Sequence, residues 1–422
     1  MNIEKIHARE ILDSRGNPTV EAIITVDGKH FIAMVPSGAS TGSHESLELR
    51  DKDNRYYGKG VLKAVSNINS IISKKIKGMD CTEQGKIDQT LITLDGTEHK
   101  SKLGANSILA VSMAACKAGA YAQKIPLYLH LKNLSKSNMI SMPIPMLNII
   151  NGGKHAGMEH DIQEHMIMPI NFRTFAEALR AGTEIYHSLR KLIEKKFGAQ
   201  GILLGDEGGF APRVKSMDER LDLIMEAIGE TGYGDKIALA LDCASTEFFS
   251  GGSYQLGNKK MDSAELVDFY KQAVSKYPII SIEDGMAEDD WHGWQILNKE
   301  LGSKIQLVGD DLLVTNQKRI EKAITESACN ALLLKVNQIG TITESIQAAN
   351  TSLKNKWNVV VSHRSGETED TFIADLVVGL NAGQSKFGAP ARSERTAKYN
   401  RLLAIEEELG PDARYASFAK GF

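Results

Sequence analysis

Cysteine is scarce in this 422-residue chain. The four cysteines, at 81, 116, 243 and 329, show no Cys-x-x-Cys spacing. Cysteines scattered so thinly favour reduced thiols over a disulfide framework, and with them a cytoplasmic location. Cys243 directly follows Asp242 and reads as a small buried hydrophobe rather than a reactive thiol. A basic excess is missing too. Lys plus Arg total 50 against 53 Asp plus Glu, a net charge of −3. General affinity for nucleic acid usually requires the opposite balance. The basic cluster SKKIKG at 73–78 is short and reads as a solvated helix face. No apolar run approaches the roughly 20 residues that span a bilayer. Glu4, Glu10, Asp13 and Arg15 also interrupt the apolar stretch a secretory leader would need. What remains, with 42% hydrophobic and 24% charged residues, 37 Gly and 10 Pro, is a globular composition. The length allows two or three domains and a large core.

The first ~130 residues read differently from the rest. TVEAIITVDGKHFIAMV alternates around Asp27-Gly28, which predicts two strands joined by a hairpin turn. Apolar residues then recur at helical spacing over 61–77 and 104–123. Strands followed by helices make an α+β pattern. The polar stretch KNLSKSN at 132–138 is the expected boundary, dividing the chain into 1–132 and 139–422. Beyond it, short runs rich in Val, Ile and Leu alternate with amphipathic stretches such as SAELVDFYKQAVSKY and QKRIEKAITES. That alternation implies a parallel sheet with crossover helices. Sustained over about 280 residues, it favours a (β/α) barrel over an open doubly wound sheet.

Polar residues stand directly after these apolar runs: Asp242, Glu283, Asp310, Lys335 and His363. Successive members are separated by about one βα unit of roughly 30 residues. In a parallel barrel all five converge on the C-terminal mouth, where barrel active sites lie. Singly, each reads as an ordinary polar strand end; five in register do not. Three converging carboxylates need a cation, and hard oxygen donors without Cys or His point to Mg²⁺ or Mn²⁺ rather than zinc. Near such a cation Lys335 is expected to have a lowered pKa and to act as a base, with a structural salt bridge as the alternative. In VVVSHRSGETED (359–370), Arg364, Ser365 and Gly366 suit a phosphate or carboxylate, and Lys386 adds positive charge. An anionic substrate over a divalent metal beside a lysine suits removal of a proton next to a carboxylate. The glycine-rich GDEGG at 205–209 then places Glu207 to protonate a departing hydroxide, with Asp206 as a loop anchor.

These residues resemble the enolase family over essentially the whole chain. The matching blocks include DSRGNPTVE (13–21), VPSGASTG (35–42), NIINGGKHAG (148–157), DIQEHMIMP (161–169), GDEGGFAP (205–212), LDCASTEF (241–248), VGDDLLVTN (308–316), LLKVNQIGT (333–341), SHRSGETED (362–370) and GAPARSERTAKYN (388–400). The resemblance implies an α/β protein: an N-terminal α+β domain capping an enolase-type (β/α)8 barrel with a ββαα start. It implies a glycolytic lyase that reversibly dehydrates 2-phospho-D-glycerate to phosphoenolpyruvate. Two Mg²⁺ per site are implied, with Mn²⁺ as a substitute. Asp242, Glu283 and Asp310 would hold one metal ion, and Ser40 in the SGASTG lid would help hold the second. The implied catalytic set is Lys335, Glu207, Glu164 and His363. Arg364 and Ser365 would bind the phosphate and Lys386 the carboxylate, while His155, Gln163 and Glu164 line the pocket. The family also implies a homodimer or an octamer of dimers. It allows a secondary surface or secreted role with plasminogen or RNA-processing partners, although the chain ends in AKGF rather than lysine.

Two positions depart from the pattern. Lys154 stands where a small polar residue is common, and His165 where phenylalanine is. His165 reads as a satisfied packing residue. The rival readings are another acid dehydratase of the superfamily, which would not carry SGASTG together with SHRSGETED, and a non-catalytic binding protein. No matched catalytic, metal or phosphate position is lost, which disfavours the second.

Overall fold

The computed structural model describes residues 1–38, 42–214 and 216–418. Strands β1 (Lys5–Leu12), β2 (Pro18–Val26) and β3 (Lys29–Met34) form an antiparallel meander. Asp27 (φ 52°) and Gly28 (φ 67°) make the turn between β2 and β3. Two consecutive left-handed residues match the right-handed twist of a hairpin, and Asp-Gly tolerates them. Helices α1 (Leu62–Asn67) and α2 (Ser73–Ile76) are joined by a π-helical turn, Ile68–Ile72, so the helical spacing of 61–77 is realised with a bulge. Then come α3 (Gln84–Asp95), α4 (Ala105–Ala122) and α5 (Leu127–Ser135). Of the 18 residues of α4, 15 are buried, which is why that segment carries almost no charge.

The rest is a closed eight-stranded barrel. It opens with β4 (Ile144–Asn151), β5 (Glu164–Pro169), α6 (Phe175–Phe197), α7 (Met217–Thr231) and β6 (Ile237–Asp242). Because β5 runs antiparallel to both neighbours, the start is ββαα. A small antiparallel sheet of β7 (Phe249–Ser250), β8 (Ser253–Leu256) and β9 (Lys259–Met261) leads into α8 (Ser263–Lys276). Regular units follow: β10 (Ile279–Glu283), α9 (Trp291–Leu301), β11 (Gln306–Gly309), α10 (Gln317–Glu326), β12 (Ala331–Leu334), α11 (Val336–Ile339), α12 (Ile342–Lys354), β13 (Asn358–Ser362), α13 (Phe372–Gly379), β14 (Gly383–Lys386) and α14 (Ser393–Leu409). Helix starts are chemically marked. Thr174, Ser216, Asn316 and Thr341 each accept a backbone N–H of the first turn, and Asp262 with Glu265 forms a capping box.

Alternation along the strands separates two cores. Ile144, Met146, Met166, Met168, Ala238, Ala240, Val308, Ala331, Leu333 and Val360 fill the barrel interior. Their neighbours Leu147, Ile167, Leu239, Leu241, Leu332, Leu334, Val359 and Val361 face the helices. The polar stretch at 132–138 is partly helical, since α5 continues to Ser135. There Ser135 Oγ donates to the Gly379 carbonyl (3.3 Å) and Asn350 Nδ2 donates to the Ser135 carbonyl (3.1 Å). Asp88 of α3 ties the meander-and-helix part to α12, accepting from Thr343 N (2.9 Å), Thr343 Oγ1 (2.6 Å) and Ser112 Oγ (2.6 Å).

His130 of α5 is fully buried, and neither ring nitrogen has a hydrogen-bond partner among the described residues. Burial lowers its pKa from 6.5 to about 4. Between those values the unfolded chain binds a proton that the folded protein refuses, so this residue removes stability as pH falls from 6.5 towards 4. The expected size is about 3 kcal/mol. Urea-unfolding midpoints of the native protein and His130→Leu at pH 7 and pH 4.5 check it. The native midpoint should fall the more steeply, and parallel acid dependence would refute the assignment.

Candidate active site

The C-terminal ends of the barrel strands surround one cavity. Its lining includes His155, Gln163, Glu164, Glu207, Asp242, Asp310, Lys335, His363, Arg364, Ser365 and Lys386. Glu283 is fully buried beside it, with Oε1 2.8 Å from Lys386 Nζ. Every sequence-predicted site residue thus gathers here except Ser40, which lies outside the described residues. Asp242 ends β6, Glu283 ends β10 and Asp310 follows β11, three strands adjacent in the ring. Lys335 follows β12, and Glu164 opens β5, four strands away. In an eight-membered ring four strands apart means directly opposite. Because β5 is reversed, its first residue lies at the same mouth as the last residues of its neighbours.

Glycines bring the Glu207 loop close. A Cβ at Gly205 would stand 2.0 Å from Asn151 Nδ2, and Gly208 sits at φ 84° against the Ala391 carbonyl. Glu207 Oε2 accepts from Asn148 Nδ2 (3.1 Å) and lies 3.4 Å from His363 Nε2. His155 Nδ1 is 3.5 Å from Glu164 Oε1 and 4.0 Å from Glu207 Oε1. Burial and the Glu207 charge push the Glu164 carboxyl well above its usual range. Burial also opposes ionisation of Glu207, but His363 and His155 outweigh it and hold Glu207 well below. Of the two, Glu164 is therefore the carboxyl on which a proton is favoured.

On the cation side, Lys386 Nζ reaches Asp242 Oδ2 (2.8 Å), Glu283 Oε1 (2.8 Å) and Glu164 Oε2 (3.1 Å). Lys335 Nζ is 2.5 Å from Asp310 Oδ2, and Gln338 Nε2 donates to Asp310 Oδ1 at 2.8 Å. The lowered Lys335 pKa is expected beside a divalent cation; the protein's own groups push it the other way. Burial is the largest single influence and disfavours the charge, yet Asp310, with Glu283 adding to it, leaves the pKa raised. The predicted base is thus an ammonium ion in the free protein. Asp310 answers in kind: burial would raise it, but Lys335 and Arg364 hold it below the usual range.

The donor set fits a divalent cation. Glu283 Oε2 is buried without a hydrogen-bond partner among the described residues, and burial and Asp242 push this carboxyl well above its usual range. A carboxyl oxygen so placed is stabilised by added positive charge. Among the described residues, the groups that bring three donor atoms within 4.8 Å of one another are His155–Glu164–Glu207 and Asp284–Asp310–Asp311, and the trio Asp242, Glu283 and Asp310 is not one of them. The first belongs to the proton-bearing side of the cavity. In the second, Asp284 accepts the backbone N–H of Asp310 and of Asp311, both at 2.9 Å, and so shapes the turn that presents Asp310.

Arg364, buried, forms a two-pronged pair with Glu45, its Nη1 and Nη2 each 3.0 Å from a carboxylate oxygen, and Nη1 also donates to Asn337 Oδ1 at 3.0 Å. Ser37 and Gly366 exchange backbone bonds of 2.7 and 2.9 Å, joining the first residue of the SGASTG stretch to the Arg364 loop. Glu45, Asn148, Gln338 and Arg395 are site residues the sequence reading missed. Asn148, Gln338 and Arg395 lie inside recognised blocks, and that was their only signal.

The comparisons with known proteins agree with this geometry. Residues 3–131 match the family description "Enolase, N-terminal domain", and 139–421 match "Enolase, C-terminal TIM barrel domain". The chain belongs to the enolase family. Curated enolases agree along the same length. That of Thermococcus kodakarensis is 57% identical over 417 residues, covering 98% of this chain and 96% of the relative. That of Methanocaldococcus jannaschii is 56% identical over 409 residues, 97% and 96% of the two chains. Membership makes the chain a glycolytic carbon–oxygen lyase of the phosphopyruvate hydratase type, which sets aside the other dehydratases.

The two departures from the family pattern stand apart from the reacting groups. Lys154 pairs with Glu247 at the surface (2.9 Å). His165 is fully buried, its Nε2 3.4 Å from Arg220 Nη1. Burial and the Arg220 charge hold this imidazole well below its ordinary pKa, hence neutral. Arg220 in turn pairs with Asp161.

Proposed function

We propose that 2-phospho-D-glycerate is dehydrated to phosphoenolpyruvate in this cavity by groups acting from opposite walls. The observation that carries this reading is the placement of Lys335 four strands across the ring from Glu164, with Glu207 beside the latter. A base and an acid so placed reach opposite faces of one substrate, as removal of a C2 proton and of a 3-hydroxyl requires. Lys335 takes the C2 proton. Glu207 delivers a proton to the departing hydroxide, with Glu164 as the reservoir that holds it in the free protein. Arg364 and Ser365 bind the phosphate, which competes with Glu45 for the guanidinium. Lys386 meets the substrate carboxylate, and His155, Gln163 and His363 complete the wall.

Asp242, Glu283 and Asp310 are the residues that would hold Mg²⁺, or Mn²⁺ in its place, and Ser40 would share in a second ion. A cation there supplies electrostatic stabilisation of the charge that develops on the substrate carboxylate. Asp310 engaged in this way no longer holds the proton on Lys335, which reconciles a protonated lysine in the free protein with a base in turnover.

A two-domain division at 1–132 and 139–422, assembly as a homodimer or octamer, and a cytoplasmic location belong to the same reading and rest on the family resemblance. So does a secondary surface, plasminogen-binding or RNA-processing role. No helix of the described residues is long and apolar enough to cross a membrane.

Purified protein mixed with 2-phosphoglycerate should raise the ultraviolet absorbance of phosphoenolpyruvate with Mg²⁺ and stop with excess chelator. A folded, metal-loaded sample without turnover would instead favour a binding role.

A further inference from the structure

Arg395, in the first turn of α14, is fully buried and belongs to no role assigned above. Its guanidinium lies behind the reacting face of the cavity. Nη1 meets His363 Nδ1 at 2.6 Å and donates to the Arg364 carbonyl at 2.6 Å. Nη2 donates to the carbonyls of Ser365 (2.6 Å) and Asp206 (3.1 Å). Both nitrogens that reach these loops are therefore committed.

The chemistry of the pair leaves one arrangement. A guanidinium has donors only and keeps its charge at every pH the protein meets. His363 Nδ1, in contact with it, must accept, so the ring proton resides on Nε2. That nitrogen is buried, makes no hydrogen bond among the described residues and lies 3.4 Å from Glu207 Oε2. The same guanidinium holds the carbonyl of Asp206, the neighbour of Glu207, and two carbonyls of the loop that follows His363. It thereby sets the ring and the carboxylate relative to each other. A lysine, with a single donor centre, cannot reach four acceptors from two loops in a plane.

We propose that Arg395 is a positioning residue that fixes His363 as its Nε2–H tautomer and aims that N–H at the Glu207 side of the cavity. The proposal rests on the function proposed above for what the ring does in turnover, but the tautomer itself does not. Four groups face the ring: Glu207 from the loop before α7, Arg395 from α14, Glu367 from the loop after β13, and Lys386, whose carbonyl accepts the His363 backbone N–H. Burial, with Arg395 adding to it, holds the ring down to about 4 against the opposing pull of Glu207.

The test is nitrogen NMR of the full-length protein labelled at histidine, with His363 assigned by its loss in His363→Asn. The native spectrum should show an unprotonated Nδ1 and a protonated Nε2, unchanged from pH 5 to 8. A proton on Nδ1, or titration with an ordinary histidine midpoint, overturns the proposal. Arg395→Lys should mix the two tautomers and lower kcat by about 10²-fold, with KM within about threefold of native. A variant that loses turnover while keeping the native His363 spectrum overturns it as well. Native protein that shows the tautomer but does not turn over 2-phosphoglycerate would refute the functional reading and leave the tautomer assignment standing.

Discussion

Lys335→Ala is expected to suppress exchange of the C2 proton of 2-phosphoglycerate by about 10⁴-fold, the upper range for removal of a general base. Lys335 follows β12, its backbone N–H accepted by Thr315 Oγ1 (3.0 Å). The nearest candidate to replace it is Lys386. That ammonium is held by Asp242 and Glu283 and reaches the Glu164 carboxyl, and burial notwithstanding these acidic groups raise its pKa well above the ordinary value. It cannot surrender its charge cheaply, so no second base is at hand. The variant should still fold, because Asp310 keeps its bond from Gln338 Nε2 (2.8 Å). Loss of deuterium from C2-deuterated substrate in ordinary water is the measurement. Exchange near the native rate would remove Lys335 from the base role.

Glu207→Gln is expected to slow dehydration by about 10³-fold while C2 exchange persists. Glutamine keeps the size of the side chain and the contact with Asn148, but it cannot carry a proton to the leaving hydroxide. Lys335, across the ring, is untouched, so proton abstraction continues. A second consequence follows from charge. Glu164 is raised by burial first and by the Glu207 carboxylate next. With that neighbour neutral, the Glu164 pKa falls, and it gives up its proton at lower pH than in the native protein. Residual dehydration by the variant should therefore fade at lower pH than native activity does. Equal loss of exchange and dehydration would overturn the division of labour between the two walls.

How legible the site was depends on which kind of residue is considered. Asp242, Glu283, Asp310, Lys335 and His363 announced themselves because each ends an apolar run, and parallel strands carry all such ends to one mouth. Glu164 had no such signal. It opens its strand instead of ending it, and only the reversed direction of β5 brings it to the same place. His155, Gln163 and Ser365 rested on resemblance to quoted blocks. Arg395 lies 32 residues beyond His363, on a helix whose spacing says nothing about which loop its guanidinium will reach.

Electrostatics were less legible than placement. A lowered Lys335 pKa is the expectation for an ammonium ion beside a metal. Among the protein's own groups Asp310, at 2.5 Å, leads those that raise the value against burial. Likewise GDEGG marked a close-approach loop without revealing that His363 and His155 would hold the Glu207 carboxyl down while burial pushes Glu164 up.

The sequence by itself determined the alternation of strands and helices, the convergence of strand-end charges and the chemistry they suit. These follow from local rules: the period of apolar residues, the direction of parallel strands and the kinds of side chain available. Only the tertiary structure decided that Glu164 and Lys335 stand four strands apart, that Arg395 grips His363, and which carboxyl of the Glu164–Glu207 pair is pushed up. Those facts depend on distances of a few ångströms between residues tens to hundreds of positions apart, where burial strengthens every charge and one contact sets the sign.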